Sequence, residues 1–145
     1  MKIFNKRARF DYQLFERIEA GIALTGGEAK AVRTGHADLT NSFAKIINGE
    51  VYLINGKIPI HLAQNYDPAK TRKLLLHKSQ IISLESKMKQ KKLTLVPVSI
   101  YTKRNLVKIE LALAKSRHKF EKKESIKKKD IQREIEQEFK GKKVK

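Results

Sequence analysis

Tyr12-Gln13-Leu14-Phe15-Glu16-Arg17-Ile18-Glu19-Ala20-Gly21-Ile22-Ala23-Leu24 decides the fold. Its even positions read Tyr, Leu, Glu, Ile, Ala, Ile, Leu, and its odd positions Gln, Phe, Arg, Glu, Gly, Ala. A period of two marks a strand with one face turned inward. Its length predicts a strongly curved strand wrapping a small barrel, with Gly21 permitting the bend. Glu19 falls on the outward face, where it can accept from a guanine edge or serve as the cross-strand partner of a lysine. Glu16 and Glu19 have opposite parity, so the pattern puts them on opposite faces and excludes an acid–base pair.

Working outward, Thr25-Gly26-Gly27 stops the strand, and residues 28–33 read as a short helix closed by Gly35 at C′. Residues 42–47 and 50–55 flank Asn48-Gly49, a hairpin signal because both turn residues tolerate positive φ. Residues 57–69, with Pro59 and Pro68, are loop and edge, and 71–77 form a short apolar strand or turn with basic flanks. Ser79 then caps a helix carrying Ile81, Ile82, Leu84 and Met88. Residues 93–101 and 106–114 make a second hairpin in which Pro97 marks a bulge or an edge. The predicted architecture is mainly β: an oligonucleotide-binding-like (OB-like) antiparallel barrel of about six strands with two or three short helices. It occupies residues 1–114, and a basic tail fills 115–145.

The chain has 145 residues and a net charge of +18. The tail from Lys115 holds 13 Lys/Arg against 6 Asp/Glu, hence +7, and the body 20 against 9, hence +11. Both parts are therefore built to meet a polyanion, and nucleic acid fits better than an anionic membrane because there is no Trp and no broad apolar helix face. Asn5-Lys6-Arg7-Ala8-Arg9-Phe10-Asp11-Tyr12 is a basic arm with interleaved aromatics, able to neutralise phosphates while a ring stacks on a base. The alternative is a solvated leader whose Phe10 and Tyr12 tuck into the barrel.

Catalytic chemistry is missing from the pattern. There is no cysteine, and His36, His61, His77 and His118 are scattered, with none at metal-ligand spacing. No Gly-x-Ser-x-Gly and no phosphate loop occurs. The expectation is a binding protein without enzymatic activity, metal or cofactor. No run approaches the roughly 18–20 apolar residues that span a bilayer, and no signal-peptide core follows the N-terminus. A monomeric, cytoplasmic protein with no membrane partner is expected.

Several segments, in order, resemble one family: the SsrA-binding proteins (small protein B), partners of transfer-messenger RNA. They are Asn5 to Tyr12 as quoted, Phe15-Glu16, Glu19-Ala20-Gly21-Ile22-Ala23-Leu24 and Gly27-Glu28-Ala29-Lys30-Ala31-Val32-Arg33-Thr34-Gly35. Further on come Asp67-Pro68, Thr71-Arg72-Lys73-Leu74-Leu75-Leu76-His77, Leu95-Val96-Pro97-Val98-Ser99-Ile100-Tyr101 and Val107-Lys108-Ile109-Glu110-Leu111-Ala112-Leu113-Ala114-Lys115. The resemblance implies an OB-like barrel gripping the tRNA-like domain of transfer-messenger RNA, and a role in rescuing stalled ribosomes. By position, Asn5, Glu19 and Leu75 fall on family residues tied to RNA binding. Composition alone would file Leu75 as core. The basic side chains Lys6, Arg7, Arg9, Lys30, Arg33, Arg72 and Lys73, with His77, are expected to join them. The alternative is a generic ribosome-associated or single-strand-binding OB module.

The tail departs from the family pattern of Gly-Lys-Lys, an aromatic or His, then Asp-Lys-Arg. Here Ser116-Arg117-His118 and Lys119-Phe120-Glu121-Lys122-Lys123 stand instead. A Lys in place of the Arg keeps the charge but loses the fork that pairs phosphate twice. The resemblance implies that the tail enters the ribosomal decoding site and mRNA channel, with Arg117, His118, Lys119, Phe120, Lys122, Lys123, Lys127 and Lys128 as contacts. Ser125 would cap a helix with Ile131, Ile135 and Phe139 on one stripe, disordered when free and folding in an RNA channel.

Overall fold

The computed structural model describes residues 2–60 and 65–117. Seven strands and three helices follow one another as β1 (Lys2–Phe4), α1 (Ala8–Asp11), β2 (Tyr12–Ile22), α2 (Gly26–Arg33), β3 (Phe43–Ile47), β4 (Glu50–Ile54), β5 (Arg72–Leu75), α3 (Lys78–Lys91), β6 (Thr94–Lys103) and β7 (Leu106–Ser116). All pairings are antiparallel and run β6–β3–β4–β5–β2–β7 and back to β6, so six strands form a ring. The seventh, β1, lies on the same edge of β6 as β3 but farther along it, Phe4 facing Ser99 where β3 uses Leu95. The mainly β, OB-like expectation holds. What it lacked was β1, which precedes the Asn5–Tyr12 arm, and the turn α1, which lies inside it.

Local signals set most of the corners. Asn48 and Gly49 have φ of 52° and 77° between the paired Ile47 and Glu50, as a primed two-residue turn requires. Arg104 and Asn105 repeat the device between Lys103 and Leu106. α2 ends in a Schellman motif: Gly35 at φ 84° donates to the Val32 carbonyl, and the His36 N–H to that of Ala31. Its start differs from expectation. Thr25 and Glu28 form a reciprocal capping box, so the helix begins at Gly26 rather than Glu28. α3 also starts early: His77 is its cap, with its N–H bonded to Gln80 Oε1, and Ser79 lies inside the first turn.

Two bulges shape the ring. One shifts the β6–β7 register between Pro97 and Ser99, as the proline implied. The other interrupts β2 between Leu14 and Arg17. It breaks the alternation there, so Glu16 is exposed and takes Lys87 Nζ at 2.7 Å. The opposite-face argument for Glu16 and Glu19 therefore fails, although the two carboxylates bind separate cations.

The ring encloses Val51, Leu53, Leu74, Leu95, Ile100, Ile109 and Leu111, and the cluster takes in Val32 of α2 and Leu84 of α3. Each such side chain contributes about 1.5–3 kcal/mol by leaving water. Across this core α2 is tied to β5 by one ion pair: Glu28 Oε2 accepts from Arg72 Nη2 at 3.0 Å. The guanidinium also donates to the Gly56, Pro68 and Lys70 carbonyls and to the Tyr66 hydroxyl oxygen.

Candidate nucleic-acid interface

Antiparallel register places directly opposed residues on one face of a sheet. Following it from strand to strand gives one outward row: Leu75 of β5 faces Gly21 of β2, Gly21 faces Lys108 of β7, Lys108 faces Tyr101 of β6, and Tyr101 faces Lys2 of β1. At about 4.8 Å per strand the row spans roughly 19 Å. Two residues along, and so on the same face, Glu19 of β2 faces Glu110 of β7, which faces Ser99, which faces Phe4.

The chemistry of this face centres on Glu19. Its Oε2 accepts from the Tyr101 hydroxyl, and its Oε1 lies 3.6 Å from Lys103 Nζ. The Tyr101 hydrogen bond, with Lys103 and Lys108 adding to it, holds the carboxyl below the usual range. Tyr101 is pushed up, first by burial and then by that bond. Lys2 Nζ stands 5.2 Å from the Tyr101 ring centre and 5.3 Å from that of Phe4. Arg17 reaches Glu110 at 3.8 Å, and Lys73 of β5 pairs with Glu50 at 3.0 Å.

Leu75 is 51 % exposed, so its reading as core is overturned. Alternation along β5 turns it outward with Lys73, and its partner has no side chain to cover it: a Cβ on Gly21 would lie 3.3 Å from the Leu75 Cβ. Glycine there lets the leucine lie flat over β2, beside Glu19. An exposed leucine, a carboxylate aimed by a phenol and flanking lysines make a surface for a flat, polar-edged ligand bearing negative charge, such as a nucleobase and its phosphate.

The other candidates separate. Lys6, Arg7 and Arg9 are exposed; Arg7 pairs with Asp11 at 3.2 Å and stacks 4.5 Å over Phe10. Lys30 and Arg33 are exposed on α2, and His77 at the start of α3. Arg117 donates to the Arg9 carbonyl and thereby fastens the end of β7 to α1. Two expectations are corrected. Arg72 is 2 % exposed with its guanidinium enclosed by Glu28, Tyr66 and carbonyls, so it cannot meet RNA. Asn5 is also buried: its amide donates to the Pro97 carbonyl and its N–H to that of Val98, so it clamps the β6 bulge. His61, His118, Lys119, Phe120, Lys122, Lys123, Lys127 and Lys128 lie outside the described residues.

Sequence reasoning missed Tyr101, Lys108, Lys2 and Phe4. The alternation of Lys2-Ile3-Phe4 was the available signal for β1, but three residues are too few to stand out. Among the described residues no group of His, Cys, Asp and Glu could hold a metal ion. No described helix is long and apolar enough to cross a membrane.

Comparison with known proteins gives the family. A family model described as SmpB protein matches residues 2–141. An SsrA-binding protein of Sulfurihydrogenibium sp. is 49 % identical over 141 residues, covering 95 % of this chain and 93 % of the relative. One from Halothermothrix orenii is 50 % identical over 94 % of this chain and 90 % of its own length. Another, from Thermosipho melanesiensis, is 46 % identical over 97 % of this chain and 100 % of its own. A solved structure described as "tmRNA-SmpB: a journey to the center of the bacterial ribosome" superposes with a TM-score of 0.67 at 45 % identity, covering 81 % of this chain and 85 % of that one. The chain belongs to the SmpB family, that of the SsrA-binding proteins.

Proposed function

We propose that this chain is an RNA-binding adaptor of trans-translation. It binds the tRNA-like domain of transfer-messenger RNA, the SsrA RNA, and delivers it to stalled ribosomes in the cytoplasm. It contributes recognition rather than catalysis. The observation that carries the reading is the outward patch of Leu75 and Glu19 on neighbouring strands, Gly21 clearing the space between them. A half-exposed leucine beside an aimed carboxylate has no use in the core and suits a base-bearing surface. Family membership supplies the identity of the RNA.

The charge division supports a division of labour. The body carries +11 of the +18 and owns the patch, so RNA affinity resides there. The tail beyond Arg117, which is itself tied to the Arg9 carbonyl, is then free to probe the ribosomal decoding site and mRNA channel, with His118, Lys119, Phe120, Lys122, Lys123, Lys127 and Lys128 as its contacts. Truncation after Arg117 tests this. Binding to a transcript of the tRNA-like domain should survive nearly intact while tagging on stalled ribosomes is abolished. If truncation removes most of the RNA affinity, the division is wrong. If bulk RNA competes as well as the tRNA-like domain, the chain is a generic RNA-binding module.

A further inference from the structure

We infer that Tyr101 is a positioning residue for Glu19, turning one carboxylate oxygen into a fixed acceptor for a hydrogen-bond donor on the RNA. The inference rests on the proposed function and deepens it at the same site. Geometry carries it. Glu19 has two oxygens and they are used differently: Oε2 is occupied by the Tyr101 hydroxyl, whereas Oε1 is 3.6 Å from Lys103 Nζ, beyond hydrogen-bonding distance. The side chain is thus held by one oxygen and presents the other, on an exposed face, with room for a donor. The Tyr101 ring is itself fixed between strands, β7 on one side and β1 on the other, with Lys2 over its face.

The physical need is specific to an acid on a basic, RNA-facing surface. Approaching phosphates favour the protonated carboxyl, and a protonated Glu19 stops being a pure acceptor. The groups facing it oppose that: Tyr101 and Lys103 on β6 and Lys108 on β7 stabilise the anion. Glu110 on β7, directly across, is occupied by Arg17 of β2 and by Ser99. Lys2 of β1 lies over the phenol and not over the carboxylate. The lysines act at a distance and weaken with salt, whereas the phenol acts by contact and direction. The donor on the RNA is a base N–H or a ribose 2′-hydroxyl, which share the chemistry Glu19 can accept.

The test uses the full chain, a transcript of the tRNA-like domain, and four proteins: unmodified, Tyr101→Phe, Glu19→Gln and the double variant. Tyr101→Phe keeps the ring, its packing and the Lys2 contact, so its melting temperature should stay close to that of the unmodified chain. Its RNA affinity should fall about fivefold at neutral pH, that is by about 1 kcal/mol, the size of one lost hydrogen bond. The acid limb of binding should also move to higher pH, because Glu19 loses the bond that keeps it ionised. Glu19→Gln should abolish that limb, and the double variant should bind no worse than Glu19→Gln alone. Replacing the 2′-hydroxyls near the contact by hydrogen assigns the donor: lost sensitivity to Glu19→Gln marks the ribose, and retained sensitivity marks a base. If Tyr101→Phe binds with unchanged affinity and pH profile, or if the double variant is additive, the positioning role is overturned. If Glu19→Gln itself binds normally, the RNA-face reading falls with it.

Discussion

Two carboxylates in this chain have the same kinds of partner and opposite fates. Glu28 accepts from a tyrosine hydroxyl, Tyr66, and pairs with Arg72 and Lys70. Glu19 accepts from a tyrosine hydroxyl, Tyr101, and pairs with Lys103. Glu28 is 1 % exposed and every part of its shell is protein, so it fastens α2, the loop around Tyr66 and β5 into one body. Glu19 stands on the outer face with one oxygen lightly held. The difference lies in burial and in unspent bonding capacity rather than in residue type. A carboxylate whose shell is complete stabilises the fold, and one whose shell is incomplete is available to a ligand.

The contrast breaks most visibly at Arg72. Arg72→Ala would leave Glu28 buried without its main cation, a loss of about 3–5 kcal/mol. Denaturant melting should read it as a lower midpoint, and RNA affinity should be kept wherever the variant is folded. A stable Arg72→Ala protein that fails to bind RNA would return Arg72 to the interface.

Next in size is the acid response. Burial pushes the Glu28 carboxyl up, but the Thr25 N–H, Tyr66 and Arg72 outweigh it and hold it down to about 2. A depressed carboxyl stabilises the fold above its ordinary value of 4.5, and that stability is lost as pH falls from there toward 2. The amount is about 3 kcal/mol. Melting temperature should therefore drop steeply across that window, and Glu28→Gln, less stable at neutral pH, should show a much flatter acid slope.

Leu75→Ala sharpens the other side. Half of the side chain is already in water, so stability should change by about 0.5 kcal/mol or less. RNA affinity should weaken by about 1 kcal/mol, roughly fivefold in Kd, as the apolar contact is lost. Gel-shift titration beside a melting curve separates the two effects. Smallest of all is Lys87→Ala, which removes the exposed pair with Glu16. Chemical denaturation should register at most about 0.5 kcal/mol, and a larger loss would mean that the β2 bulge depends on that pair.

What proved legible in the chain was whatever depends on neighbours in sequence. The parity of 17–22 marked a one-sided strand, Asn48-Gly49 a primed turn, Gly35 a helix end and Pro97 a bulge, each because one residue type satisfies a local backbone demand. Net charge likewise needed no coordinates to announce a polyanion. Glu19 was placed correctly on the outer face by alternation alone, and the family resemblance pointed to Leu75 for a reason the pattern could not supply.

Only the closed ring decided the rest. Arg72 and Lys73 are adjacent basic residues on one strand, and alternation sends one inward to Glu28 and the other outward to Glu50. Which goes where depends on a partner 44 positions away. Leu75 lies uncovered against β2 because its partner there is Gly21, Asn5 is buried because a bulge 92 positions on needs its amide, and Tyr101 meets Glu19 across β7. A side chain's local pattern can say that it leaves its strand on one face or the other. Its energy, and so its function, is set by what the long-range pairing has put there to meet it.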